Sequence, residues 1–377
     1  MKISRRNFLG RGAAGAAALG VGVPLLAACG SDSDDDAESS DTASASDASS
    51  DTAAAEEAPT EEAASADFGT LSLQFSWLNS MSFGPEYQWD ANGHALANGF
   101  SGTELIVGGP SVPVVPVLLS GQARFGRAEV DGLAAAIQEG AGVKVVAVGY
   151  QKSPYTVMSR TESALSAPGD LMGKKIAVDD NNVTLLTNLL VANGLAANDV
   201  EMIPANYDIS LLSSDQVDGY LAYIPDEPIS LQLEGLGITR LDVEDFGLPT
   251  VGGMYITTDE LIANERDMVA AAIRTFLLGT QDFVSKKTEA IDLTVAAMGA
   301  DAPGADYNDL SYDSYRELIV AGEAESLGLL NISTARQDEV MATLALSEVE
   351  MVPSEMFDLS ILEEVLAEDP SLGEFTA

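Results

Sequence analysis

Cysteine and histidine each occur once in 377 residues. One Cys excludes an internal disulfide and any zinc or iron–sulfur site built on cysteines. One His excludes the common two-His metal centres and argues against His-dependent catalysis. No metal and no cofactor is therefore expected. Cations are also scarce, with 18 Lys and Arg against 59 Asp and Glu and a formal charge of −41. Only 20% of residues are charged, so the acidity reflects missing cations rather than a surplus of charge. Such a surface repels nucleic-acid phosphates and anionic lipid heads. Beyond the N-terminus no run of 18 strongly apolar residues occurs, so no membrane span is expected in the mature chain. What is plentiful is apolar side chain, 46% of the total, enough for two or three cores at this length.

Four of the cations (Lys2, Arg5, Arg6, Arg11) open the chain. Ser4-Arg5-Arg6-Asn7-Phe8-Leu9-Gly10 resembles a twin-arginine export signal, with Gly10 where Lys is usual. A weakly apolar Gly/Ala stretch follows and ends in Leu26-Ala27-Ala28-Cys29-Gly30, which resembles a bacterial lipobox. The only Cys thus stands where lipidation requires one. In this reading residues 1–29 are a lipoprotein signal, and Cys29 carries acyl chains sufficient for stable anchoring. Residues 30–66 hold 12 acids, no Lys or Arg, no aromatic and no branched aliphatic residue. Nothing there offsets the cost of ordering the chain, so an acidic, disordered tether is expected.

From residue 67 on, short apolar runs alternate with amphipathic stretches, the pattern of an α/β fold. Strands are predicted at 71–75, 103–108, 124–126, 144–148, 155–159, 174–178, 200–203, 219–223, 239–243 and 254–257. Helices are predicted between them, with Gly194 closing the helix at 184–193, and the chain from Asp259 on is mostly helical. Two such series followed by a helical tail predict two lobes: 67–158 with 250–377, and 159–249. Connections of this kind favour mainly parallel sheets.

The motifs then resemble one family. Trp77, Tyr87 and Gly93 are similar to its Trp … Tyr-x-x-Ala-x-x-x-Gly opening, although Trp89 and His94-Ala95 depart from it. Leu119 to Gly126 resembles its Ser-Gly-x-x-Asp-Phe-Gly, with Arg124 in place of Asp. Asp170-Leu171-Met172-Gly173-Lys174-Lys175-Ile176-Ala177-Val178, Gln216-Val217-Asp218-Gly219-Tyr220, Asp226-Glu227-Pro228 and Asp309-Leu310-Ser311-Tyr312 follow in order. The family is the ABC-transporter solute-binding proteins that include binders of alkanesulfonates, riboflavin and the thiamine pyrimidine precursor, whose fold the thiamine-pyrimidine synthases share. The resemblance implies a type II-like periplasmic-binding-protein clamshell that closes on a solute. It further implies a monomer at the outer face of the cytoplasmic membrane or in the periplasm, delivering its solute to an ABC permease.

Open α/β lobes bind ligands at the carboxyl ends of their strands. That rule selects Trp77, Asn79 and Phe83 after the first strand, with Tyr87 on the helix beyond. It selects Arg127 and Glu129 after the third, Asn181 and Asn182 after Val178, and Tyr223, Asp226 and Glu227 after the Gly219 strand. Trp77 offers a flat apolar face to a ring. Glu227 is an acceptor for ring N–H or amine protons, matching the Asn-Glu-Pro of the heterocycle-binding branch. Asp179 and Asp180 oppose an anion at the following helix start, where they could also serve as N-caps. The expected solute is therefore a planar nitrogen heterocycle like the thiamine pyrimidine precursor. Riboflavin comes next, and an organic sulfonate or nitrate third, with Arg127 the first suspect as an anion's partner. The rival class is a pyrimidine-synthase-like enzyme. That resemblance would require a Lys at Ala128, a His at Gly132 and a Cys-rich segment near Pro249 to Tyr255, and none is present.

Overall fold

The computed structural model describes residues 67–376. The expected export signal, Cys29 and the acidic tether lie outside the described residues. Ten strands form: β1 (Thr70–Gln74), β2 (Gly102–Ile106), β3 (Phe125–Ala128), β4 (Val143–Tyr150), β5 (Tyr155–Arg160), β6 (Lys175–Val178), β7 (Glu201–Pro204), β8 (Gly219–Tyr223), β9 (Ile238–Asp242) and β10 (Gly252–Thr258). They build two five-stranded sheets, β2-β1-β3-β10-β4 and β7-β6-β8-β5-β9.

This is the two-lobe α/β fold expected, with mixed sheets. In each sheet four strands share a direction and one opposes them. β10 runs antiparallel to β3 and β4, and β5 antiparallel to β8 and β9. The opposed strand is in both cases the first laid down after the chain changes lobe.

The passage into the second lobe lies between Tyr150 and Tyr155, earlier than the boundary after 158 read from the sequence. Side-chain alternation explains the difference. Val157 of β5 packs with Ile176, Val178, Leu221 and Leu241 on one face of the second sheet, while Met158 packs with Ala177, Tyr220 and Ala222 on the other. β5 is apolar on both faces and so belongs in the middle of a doubly covered sheet. The return passage runs from Asp242 to Gly252.

The first lobe is thickened by the C-terminal helices. The 20-residue helix Arg266–Ser285 lies across the helix Gly84–Ala91. Their approach depends on Gly279, where an added Cβ would come within 2.5 Å of the Pro85 carbonyl oxygen. The helix Thr334–Ala345 pins both passages through Arg336. Its Nη2 donates to the Gln151 and Thr250 carbonyls and to Glu244 Oε1, at 3.1, 2.7 and 2.5 Å. Glu244 Oε2 in turn accepts from Ser153 N at 3.0 Å and Thr250 N at 3.3 Å. One ion pair thus ties the two hinge segments to a single helix.

Among the described residues no helix is long and apolar enough to cross a membrane. Nor is any group of three or more His, Cys, Asp or Glu placed to hold a metal ion.

Candidate functional site

The carboxyl ends of the parallel strands face one another between the lobes, and side chains from both lobes meet there. Trp77, just beyond β1, lies 5.4 Å from the ring of Tyr207, just beyond β7, with planes tilted by 51°. Below this pair is a cavity of about 230 Å³ lined by Pro110, Asp179, Asp180, Asn181, Asn206 and Tyr207. Asn206 and Tyr207 both take left-handed backbone conformations, φ 49° and 57°. For a residue as bulky as Tyr this is rare and costs free energy, so the surrounding structure must hold it. Asp179 supplies part of that hold, its Oδ1 accepting from Tyr207 N at 2.7 Å. Asp179 stands at the N-cap of the turn Asp180–Asn182, as its position suggested, but gives that turn no side-chain bond. Its carboxylate orders the turn that presents Tyr207.

Deeper in, four tyrosines form a chain across the lobes. Tyr155 and Tyr223 meet edge to face at 5.1 Å, Tyr223 lies 6.3 Å from Tyr315, and Tyr315 lies 5.9 Å from Tyr150. Glu129 and Glu227 flank them from opposite lobes. Glu129 Oε1 accepts from Gly253 N at 3.1 Å, and Glu227 Oε2 from Tyr223 N at 2.8 Å. The first bond depends on the backbone at Gly253, φ 55°, and on Gly252, whose added Cβ would sit 2.9 Å from Glu129 Oε2. Burial pushes the Glu129 carboxyl up to about 7, against a weaker pull from the Gly253 amide and Arg127. Burial does the same to Glu227, also to about 7, and the adjacent Asp226 adds to it. Asp226 ties the lobes together: Tyr307 Oη donates to its Oδ1 at 2.8 Å, and Tyr315 Oη to its Oδ2 at 3.4 Å.

Of the residues read from the sequence, the structure brings Trp77, Glu129, Tyr223, Asp226 and Glu227 to this cleft, with Asn181 on the cavity wall. Asn182 is half-buried beside it, at the start of the helix Val183–Ala192. Three candidates are committed elsewhere. Phe83 is fully buried and stacked on Phe75 at 4.0 Å. Tyr87 is buried and donates to Asn79 Oδ1 at 3.1 Å, while Asn79 Nδ2 donates to the Ala297 carbonyl at 3.0 Å. Phe83, in the turn Met81–Phe83, and Tyr87, on the helix Gly84–Ala91, both pack on Phe75 beyond β1, and Asn79 is held between Tyr87 and Ala297.

Arg127 is also spoken for. It is 2% exposed, and its Nη1 donates to Glu86 Oε1 at 2.5 Å, with Glu86 wholly buried. The rings of Tyr255, Tyr150 and Phe83 lie 4.6, 5.6 and 5.8 Å from its guanidinium carbon. It balances a carboxylate inside the first lobe.

Tyr155, Tyr207, Tyr307 and Tyr315 were missed. Tyr207 follows β7 and obeys the strand-end rule that found the others. Tyr155 begins an antiparallel strand, so its first residue lies level with the other strands' last. Tyr307 and Tyr315 come from the helix Ala305–Val320, which no local pattern directs to the cleft.

Known proteins share the fold that carries this arrangement. Residues 103–290 match the NMT1/THI5-like family. The resemblance carried by the motifs therefore stands. The riboflavin-binding protein RibY of Chloroflexus aurantiacus is 24% identical over 252 residues, 64% of this chain and 69% of its own. A putative periplasmic sulfonate-binding protein, SsuA of Methylobacillus flagellatus, superposes with a TM-score of 0.62 at 15% identity, covering 81% of this chain and 96% of its own. The desulfurization enzyme DSZB superposes at 0.53 with 14% identity, covering 79% and 99%. The fold thus serves binders and an enzyme alike, and the site must distinguish them.

Proposed function

We propose that the chain is the solute-binding lipoprotein of an ABC importer, held at the outer face of the cytoplasmic membrane by acyl chains on Cys29. It captures a small planar nitrogen heterocycle, of the thiamine pyrimidine precursor kind, and passes it to a permease. One observation carries the choice of solute: the cleft is walled by aromatic rings and carboxyl groups, while Arg127, which lies against the Tyr150 ring, is paired with Glu86. Such walls suit a flat ring with N–H donors and disfavour a sulfonate or nitrate. The ring stacks on Trp77 and donates to Glu227. Ala128 ends β3 and Gly132 lies in the helix Val130–Gln138, so the positions matching the synthases' Lys and His carry no nucleophile or base. Binding, not catalysis, is the activity.

The likeness to RibY favours riboflavin as the second reading. Titration calorimetry with an aminopyrimidine, riboflavin, taurine and nitrate separates the readings. Trp77→Ala is expected to weaken ring binding by about 1–3 kcal/mol, the range for stacking on an aromatic side chain. Glu227→Gln is expected to cost about as much, because a charge-assisted bond becomes neutral. Tight taurine or nitrate binding with Glu227→Gln silent would overturn the proposal.

A further inference from the structure

Asp226 follows β8 and heads the helix Glu227–Leu233 of the second lobe. The first lobe takes its carboxylate across the cleft: Oδ1 accepts from Tyr307 Oη at 2.8 Å and Oδ2 from Tyr315 Oη at 3.4 Å. Both tyrosines stand on the helix Ala305–Val320. Tyr312 fixes that helix to the first lobe, its Oη donating to the Phe283 and Val284 carbonyls at 2.7 and 3.0 Å. Leu318 fixes it to the hinge, its carbonyl accepting from Gln151 N at 2.9 Å. The helix is thus a bar running from the hinge into the cleft, with Asp226 held over the stretch from 307 to 315. The middle of that stretch lies on the order of 10 Å from Leu318 along the helix axis. Parting the lobes by about 20° about the hinge displaces Asp226 by about 3 Å, out of hydrogen-bond range of Tyr307. The same opening draws Trp77 of the first lobe away from Tyr207 of the second, whose ring lies 5.4 Å from it.

We infer that Asp226 and Tyr307 form the latch that sets how fast the cleft opens, so that Asp226 is a positioning residue acting on the solute through the lobes and not by touching it. The inference rests on the reading of the chain as a solute binder and concerns its gate, whichever heterocycle it takes. A bond from a phenol to a carboxylate is charge-assisted. This one forms only where the lobes meet, so it favours the shut cleft with or without solute inside. It therefore slows entry and release together, because both pass through the open form. A residue that grips the solute directly slows release and leaves entry nearly unchanged. The two roles differ in their kinetics.

The test is Tyr307→Phe, which removes one hydroxyl and keeps the ring, with Asp226→Asn as its partner; circular dichroism confirms that both variants fold. Acrylamide quenching of tryptophan fluorescence reads the cleft without any solute, since Trp89 is fully buried and Trp77, the only other tryptophan, is partly exposed. Quenching is expected to rise in Tyr307→Phe. Stopped-flow mixing with 4-amino-2-methylpyrimidine and with riboflavin is expected to show release about tenfold faster and entry faster as well, by similar factors for each probe that binds. That size is the lower end for a hydrogen bond to a charged group, because Tyr307 is half-buried. The double variant is expected to gain less than the product of the two single factors, because the two residues share one bond. Unchanged quenching, or faster release with unchanged entry, would overturn the latch. Single factors that multiply in the double variant would overturn the pairing of Asp226 with Tyr307. Failure of every probe to bind would overturn the heterocycle reading, and the quenching result would then decide the latch alone.

Discussion

Removing the carboxylate of Glu86 should destabilise the first lobe strongly, whereas removing its whole ion pair should not. Glu86 is wholly buried and Arg127 is 2% exposed, so neither charge is solvated. The pair is also incomplete: Glu86 Oε2 and Arg127 Nε have no hydrogen-bond partner among the described residues. Truncating one partner of a buried pair costs about 3–5 kcal/mol, because the other charge is left uncompensated. Here the rings of Tyr255, Tyr150 and Phe83 remain around the guanidinium and can return about 0.5–2 kcal/mol. Glu86→Gln is therefore expected near the lower end, about 3 kcal/mol. Replacing both with apolar residues of similar volume, Glu86→Leu with Arg127→Met, is expected within about 1 kcal/mol of wild type or above it, since the desolvation of two charges is removed as well. Urea unfolding followed by Trp fluorescence reads this directly, because the only two tryptophans, Trp77 and Trp89, are both in the first lobe. A Glu86→Gln protein as stable as wild type would refute the charge balance. If it also bound taurine, Arg127 would be an anion ligand and the reading of the cleft would fall with it.

Three further outcomes are expected. Glu129 and Glu227 titrate near 7 in the fold and near 4.5 when unfolded, so the folded chain holds more protons between those values. Stability is then fully favoured by protonation below about 4.5 and falls as pH rises through about 7; melting curves across that window should flatten in Glu129→Gln/Glu227→Gln, and parallel wild-type and variant curves would contradict it. Cys29→Ser should move the protein from the membrane fraction to the soluble one, and retention on the membrane would sink the lipid anchor. Arg5→Lys with Arg6→Lys should block export although charge is kept, and normal export of that variant would point to the general secretion route.

Much of the fold was legible because its strands are short, apolar and bounded by turn residues. β8 falls at Gly219–Tyr223 as read, and Gly194 closes its helix with φ 75°. The family motifs were legible for a related reason: they are joints of the fold. Asp170 Oδ2 caps the turn before β6 by accepting from Ser166 N and Ala167 N. Asp218 of the Val-Asp-Gly motif accepts from Lys175 N, holding β6 to the chain entering β8. Such residues mark architecture and say little about the solute. The site itself was half legible. Residues after parallel strands could be placed by rule, and the structure brings Trp77, Glu129, Tyr223, Asp226 and Glu227 to the candidate cleft. The rule fails where a strand is reversed, because its opening residues then face the cleft, as Tyr155 and Gly253 do. It fails again where a helix from the far end of the chain is laid across the gap, as with Tyr307 and Tyr315. It also left Arg127 as the first suspect for an anion's partner, since nothing local announces that Glu86, 41 residues earlier, is buried against it. Charge in a cleft is settled by long-range pairing. A lone Arg in sequence becomes an anion site or a silent core ion according to whether a distant acid reaches it first.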